Sequence, residues 1–363
     1  MRVLGLCSYP ITAAATRFRL AQFVGPLAER GIELDISSFL SDDQFRGLYQ
    51  NNQNVLKKAV GVARPVVSRF AKLREIKNYD LIFVQREAMI FGPAIFEWLY
   101  QHLGQKPLIL DLDDATYVRY VSPTYGRAGS FFKFFGKTDN LIKRADAVIC
   151  GNRFIAEHVE SLGTKAVVIP TVVDTDKFCP VEKNNKIPVL GWIGTHSTFP
   201  FLRSLFPVLE RLTEKHKFLL KIVGAGEDDI KIQGVEVINL KWDLDREVED
   251  FQMLDIGLYP INLSDSANME WLQGKSGFKA IQYMAVGIPF VMTPIGIGAE
   301  MGNAGKTHLN ARTDEDWYNL LDKLLSNGDL RAGMGRAGRV YAEENYTIPV
   351  QVNKLVSVFR EEE

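Results

Sequence analysis

Cysteine is scarce in this 363-residue chain, and no two cysteines stand close together. Cys7, Cys150 and Cys179 lie far apart without a C-x-x-C, which argues against a disulfide framework, a cysteine zinc site and dithiol redox chemistry. A reduced, cytoplasmic setting is expected. Metal-ligand spacing is missing too: His102, His158, His196, His216 and His308 form no H-E-x-x-H or comparable pattern, so neither a metal nor a cofactor is expected. An excess of one charge is absent, with 43 Lys+Arg against 44 Asp+Glu and a net charge of -1. That excludes a basic nucleic-acid coat and a disordered acidic tail, and no nucleic-acid motif appears. Long apolar runs are lacking as well. The first run is broken at Ser8-Tyr9-Pro10 and followed by Arg17 and Arg19, unlike a signal peptide. The stretch from Ala88 to Tyr100 is too short to span a bilayer and carries Glu97.

What is present is core material: 46% hydrophobic residues, with 22 Phe and 12 Tyr, enough for about two domains. Short Val/Ile/Leu runs alternate with amphipathic stretches throughout, the pattern of parallel sheets covered by helices, so the class is α/β. Eleven strands are predicted, starting at Arg2, Ile32, Leu81, Leu108, Ala147, Val167, Val189, Phe218, Val235, Ile256 and Phe290. The two halves open alike. Val3-Leu4-Gly5, a polar loop and a helix ending Pro26-Leu27-Ala28-Glu29-Arg30 match Val189-Leu190-Gly191, a polar loop and a helix ending Pro207-Val208-Leu209-Glu210-Arg211. In the second helix Phe201, Leu205, Leu209 and Leu212 recur on one face. The polar segment from Val181 to Ile187 reads as a linker between two Rossmann-like domains at 1–180 and 181–363, leaving open a last helix that crosses back to the first. Ligands of such sheets bind beyond the strand carboxyl ends, so loops from both domains would face each other across one cleft.

The most informative stretch runs from Gly274 to Val291, a glycine-loosened loop feeding a helix. Lys275 and Lys279 are four apart, which puts both on one face of the first turn, within reach of an anion; a solvated lysine face is the plainer alternative. Gln282, one turn on, suits a pair of hydroxyls. Gly224-Ala225-Gly226 follows a strand but lacks the third glycine of a dinucleotide fingerprint, which disfavours hydride transfer. Trp242 reads either as a stacking platform or as packing. Asp111-Leu112-Asp113-Asp114 follows a strand, where Asp113 or Asp114 either meets acceptor or sugar hydroxyls or fixes the loop. Arg17 and Arg19, placed at the opening of the first helix, suit an acidic acceptor or the donor phosphate. The segment 54–77 holds Lys57, Lys58, Arg64, Arg69, Lys72, Arg74 and Lys77 against Glu75 alone. A second run mixes Phe131, Phe132, Phe134 and Phe135 with Lys133 and Lys137. Basic and aromatic residues mixed in this way suit an anionic membrane surface, with core-packed phenylalanines as the alternative.

Taken in order, a set of individually weak motifs resembles the retaining glycosyltransferase family 4, of GT-B fold, over nearly the whole chain. The motifs are Thr16-Arg17-Phe18-Arg19, Asp113-Asp114, Ala145-Asp146-Ala147-Val148, Ile169-Pro170-Thr171-Val172-Val173-Asp174, Gly191-Trp192-Ile193-Gly194, Lys241-Trp242, Asp255-Ile256-Gly257-Leu258, and Gln282-Tyr283-Met284-Ala285 before Gly287-Ile288-Pro289. The resemblance implies sugar transfer from a nucleotide-diphosphate sugar to a hydroxyl acceptor, lipid-linked in one version, in polysaccharide, glycan or glycolipid assembly, without metal. It also implies donor contacts from Gly194, Thr195, His196, Ser197, Gly224, Trp242 and Gln282. Two departures stand out. The family's Glu-x7-Glu is Gly274 and Gln282 here, and its Arg and Lys after the first strand of the second domain are replaced by Gly194-Thr195-His196-Ser197-Thr198. Lys275 and Lys279 would then supply the missing positive charge to the leaving diphosphate. A non-catalytic nucleotide-binding subunit, or a sugar-nucleotide epimerase or hydrolase on the same scaffold, are the alternatives. The enzyme is expected in the cytoplasm, or attached peripherally to the cytoplasmic membrane face.

Overall fold

The computed structural model describes residues 1–48, 55–119, 134–262 and 269–361. By their contacts these form two compact units: Met1–Thr171 with Gln273–Ser276 and Ile348–Glu363, and Val172–Leu272 with Gly277–Thr347. In the first unit, β1 (Arg2–Cys7), β2 (Glu33–Ser38), β3 (Leu81–Gln85), β4 (Leu108–Leu112), β5 (Ala147–Cys150) and β6 (Ala166–Val168) pair in the order β2-β1-β3-β4-β5-β6. In the second, β7 (Val189–Ile193), β8 (Leu219–Val223), β9 (Glu236–Leu240), β10 (Ile256–Tyr259), β11 (Phe290–Met292) and β12 (Leu309–Asn310) pair in the order β12-β11-β10-β7-β8-β9. Every pairing is parallel. Strands with helices on both faces bury both sets of side chains, which is why β3, β4 and β7 are uniform apolar-rich runs buried from end to end.

The helices depart from the sequence reading where proline intervenes. The single amphipathic helix expected through Phe201 and Leu212 is two pieces, Phe199–Arg203 and Phe206–Leu212. Pro207 cannot donate to the carbonyl four residues back and its ring would press on that carbonyl, so a new helix starts there instead. The equivalent run in the first half is also segmented, into Ala14–Arg19, a 3-10 turn Ala21–Phe23 and Val24–Ala28. Helix starts elsewhere carry side-chain caps. Asn152 accepts from the Ile155 amide at 2.9 Å, and Thr313 with Asp316 forms a reciprocal capping box. The final helix, Ile348–Arg360, packs with the first unit, with Phe359 edge-on to Phe83 at 5.0 Å. Among the described residues no helix is long and apolar enough to cross a membrane.

Candidate functional site

In an open parallel sheet a crevice forms at the carboxyl ends of the two strands where the winding reverses. That reversal lies between β1 and β3 in the first unit and between β7 and β10 in the second. The loops there are built very differently.

In the second unit, β7 runs into Gly194-Thr195-His196-Ser197-Thr198. The Thr195 carbonyl accepts from the amides of Thr198 (2.9 Å) and Phe199 (3.0 Å), and Thr198 Oγ1 accepts from the Thr195 amide at 3.1 Å. Thr195 and Ser197 hydroxyls lie 2.8 Å apart, and Thr195, His196 and Ser197 are exposed. The neighbouring strand β8 ends in Gly224-Ala225-Gly226. Gly224 (φ +84) and Gly226 (φ +76) adopt the left-handed backbone that glycine favours. A Cβ on Gly224 would lie 2.3 Å from the Gly194 carbonyl oxygen, and one on Gly226 would lie 2.7 Å from the His196 Cβ. A Cβ on Gly194 would in turn meet the Trp192 ring at 2.3 Å. The two loops therefore meet through bare backbone, and only glycine permits it. Trp242, beyond β9, is partly exposed beside Gly224. Hydroxyls, the His196 ring and peptide groups are thus open to a ligand at these loops, and the exposed acids Glu227, Asp228 and Asp229 follow Gly226.

The helix Phe278–Ala285 completes this unit's polar end. It begins after Gly277, whose φ of +61 turns the chain into it. Lys279 lies in the first turn and donates to Gln282 Oε1 at 3.1 Å, with its ammonium 5.2 Å from the Phe251 ring centre. Gln282 is fully buried, and its Nε2 has no hydrogen-bond partner among the described residues. Two amide hydrogens without an acceptor are costly in an interior, so an incoming acceptor atom would be favoured there. Tyr283 fixes the helix by donating to the Gly191 and Leu258 carbonyls, each at 3.2 Å.

Lys275 does not share a helical face with Lys279, because the helix starts only after the left-handed Gly277. Lys275 is half-buried in Gln273–Ser276, which packs with the first unit. Asn152 Nδ2 donates there to the carbonyls of Gln273 (3.4 Å) and Lys275 (3.2 Å). A Cβ on Gly274 would lie 2.2 Å from the Ala115 Cβ. The position has no room for a carboxylate-bearing side chain, which gives the first departure from the resemblance a steric cause.

In the first unit the loops beyond the strands are filled by paired charges. Arg86, just past β3, has a φ of +61, a conformation costly for a residue with a side chain. Its guanidinium donates to both Asp113 oxygens, at 2.5 and 2.7 Å, and to Asp114 Oδ2 at 2.8 Å. Burial alone would raise the Asp113 carboxyl, but Arg86 holds it below the ordinary carboxylate value. Asp114 Oδ1 and Thr116 Oγ1 are buried without a partner among the described residues. Arg19 is also buried, donating to both oxygens of Asp111 and, at 2.8 Å, to the Ile169 carbonyl. Burial disfavours its charge, and the Asp111 carboxylate more than restores it. Arg17 donates to the Thr12 carbonyl at 3.0 Å. Arg17 and Arg19 end the first helix instead of opening it, so the helix dipole favours their charge and asks for no functional reason. Arg86 was missed from sequence. The only signal was the charged Arg86-Glu87 two residues after the apolar run from Leu81 to Val84.

The basic stretches change character too. Arg69 is buried, donating to the carbonyls of Cys7, Ser37 and Ala88, and Lys72 bridges Asp35 and Glu75 at 2.8 Å each. Lys137 is buried against Glu87 at 2.6 Å and the Met89 carbonyl at 2.8 Å, so it offers no surface charge. Phe134 is exposed and Phe135 half-buried, while Phe131, Phe132 and Lys133 lie outside the described residues.

No family model matches the sequence, and no curated protein is detectably similar to it. Solved structures do match over nearly its whole length. A glycosyltransferase from Rickettsia africae aligns over 99% of this chain and 98% of its own, with a TM-score of 0.70 and 17% identity. Anabaena HepE in complex with UDP-glucose aligns over 99% and 100%, with a TM-score of 0.70 and 15% identity. Sucrose-phosphate synthase from Thermosynechococcus elongatus aligns over 99% of both chains, with a TM-score of 0.68 and 13% identity. At such identities the likeness concerns the fold, and the chain has the two-domain α/β fold of GT-B-type glycosyltransferases.

Proposed function

We propose that this protein transfers a sugar from a nucleoside-diphosphate sugar to a hydroxyl acceptor, with retention at the anomeric carbon and without metal. The observation that carries this is the meeting of two glycine-bounded loops after β7 and β8, of which β7 is one of the two strands that border the winding reversal of the second unit. Bare backbone and hydroxyls at that place suit a sugar nucleotide. The shared fold with HepE, which was solved with UDP-glucose, supports the same donor class. Thr195, Ser197 and the Gly194 and Gly224 peptides contact the donor in this proposal, with Trp242 beside the base and Gln282 at the ribose. Lys279, and Lys275 from its own segment, stabilise the leaving diphosphate. Such preorganised charge can be the largest single contribution to catalysis. The leaving phosphate takes the acceptor proton, since no separate base is assigned. On the acceptor side, Arg86 fixes Asp113 and one Asp114 oxygen, leaving the other to receive an acceptor hydroxyl. The acceptor belongs to polysaccharide, glycan or glycolipid assembly, and the enzyme works in the cytoplasm.

Turnover of UDP-sugars with hydroxyl acceptors, followed by proton NMR in excess chelator, tests the proposal. Transfer with the anomeric configuration kept is expected. Loss of activity restored by magnesium or manganese would remove metal independence. Donor consumption that ignores the acceptor would point to a hydrolase, and nucleotide binding without turnover to a binding subunit.

A further inference from the structure

At the basic segment 54–77, for which the sequence suggests an anionic membrane surface, the first unit carries an apolar face built from two helices. On the helix Val55–Leu73, Val67 is 66% exposed and Phe70 50%, and Arg74 continues that face one turn on. The helix Ile95–Gly104 lies against it. Phe70 packs edge-on to Phe96 at 5.0 Å, and the Tyr100 hydroxyl donates to the Arg69 carbonyl at 2.7 Å. On that second helix Ile95 is 48% exposed, Trp98 41% and Leu103 62%. Single exposed apolar side chains are ordinary, but five on two touching helices form a patch that calls for an occupant.

Charge identifies the occupant. Arg64, Arg74 and Lys77 are exposed on the first helix and the turn that follows it. The residues 55–73 include no acid at all. Glu75 is taken by Lys72 at 2.8 Å, and the one acid of the second helix, Glu97, is buried and accepts the Ala88 amide at 2.7 Å. The face is thus apolar, aromatic and cationic, with no unpaired exposed acid on either helix. A bilayer interface accepts apolar side chains at the acyl boundary and cations at the phosphates, and needs no matched directional partners.

We propose that these two helices dock the protein on an anionic lipid surface through Val67, Phe70, Ile95, Trp98 and Leu103, flanked by Arg64, Arg74 and Lys77. This does not rest on the transfer reaction, and the assay uses neither donor nor acceptor, so failure of one leaves the other standing. The test is co-sedimentation of the full chain with vesicles of phosphatidylcholine alone and mixed with phosphatidylglycerol, at low and high salt. The wild type binds the mixed vesicles more tightly, and salt weakens the binding. Arg64→Glu with Arg74→Glu lowers binding to mixed vesicles roughly ten-fold or more at low salt. Phe70→Ser with Trp98→Ser lowers it by at least about ten-fold at both salt levels. Thermal unfolding stays as in wild type in the charge variant and falls in the apolar one, where Phe70 leaves Phe96, so binding is read at a temperature at which every variant is folded. Unaltered binding in either double variant, or no wild-type binding to mixed vesicles at low salt, overturns the proposal. So does a self-associated form, seen without vesicles and abolished by the apolar variant, which would give the face to a second copy of the chain.

Discussion

The carboxyl ends of the two sheets solve the same topological problem with opposite chemistry. At the carboxyl ends of β1, β3 and β4, arginines and aspartates neutralise one another: Arg19 with Asp111, Arg86 with Asp113 and Asp114. Beyond β7 and β8, glycines bring backbone against backbone; Thr195, His196 and Ser197 are exposed on the first loop, and the exposed acids after Gly226, Glu227, Asp228 and Asp229, are ion-paired at the surface with Arg203, Lys241 and Lys231. Paired ions inside a protein are costly to break and little free to bind anything new. Loops of glycine and hydroxyl groups carry no such commitment, and peptide groups held in place can meet a phosphate or a sugar at once. In the proposed function the first set does structural work and the second meets the ligand, with the second Asp114 oxygen as an exception in the first.

The sharpest way to break this comparison is to remove one member of a buried pair. Arg19→Ala strands the Asp111 carboxylate and is expected to cost about 3–5 kcal/mol of stability, read by urea unfolding. Arg19→Met with Asp111→Leu should recover most of that loss. A small effect of the single change would mean that the pair is not structural. In the other set, Gly224→Ala forces a Cβ toward the Gly194 carbonyl in a left-handed backbone. A stability loss of about 1–3 kcal/mol is expected, together with weaker nucleotide binding. Normal stability and normal binding would contradict the backbone contact.

A smaller effect separates the units by pH. His308 in the second unit is buried, stacked on Phe290 at 5.2 Å, with its Nδ1 2.9 Å from Thr307 Oγ1 and no partner for Nε2 among the described residues. Burial pushes its pKa below the ordinary 6.5. The unfolded chain then binds more protons than the folded one below that value, so the contribution is full above about pH 6.5 and is lost as pH falls. Thermal unfolding between pH 7.5 and 5 should show wild type losing of order 1 kcal/mol more than His308→Gln. Parallel curves would exclude His308 as the cause.

The strands were legible because buried parallel strands are short apolar runs. Only β12, two residues long, gives too little pattern to see. Helix breaks were less visible, since an apolar period survives Pro207 although the hydrogen bonds do not. Charge was legible as composition but not as pairing. Arg19 and Asp111 are 92 positions apart, and nothing local tells that Lys137 is buried against Glu87 while Arg64 faces outward. Gly224 and Gly226 were recognisable as a loop that a ligand could approach. Their reason for being glycine lies in Gly194 and His196, on another strand's loop.

The central claim is that the second unit's polar end, with Lys279, binds the donor diphosphate. The direct measurement is calorimetric titration of UDP into wild type, Lys279→Ala and Arg17→Ala, without added metal. Lys279→Ala should weaken binding by about 1.5–3 kcal/mol in a protein still fully folded at the titration temperature, with a lowered unfolding temperature because buried Gln282 Oε1 loses its donor, and Arg17→Ala should leave UDP binding as in wild type. UDP affinity untouched by Lys279→Ala, or lost equally with Arg17→Ala, would contradict the account.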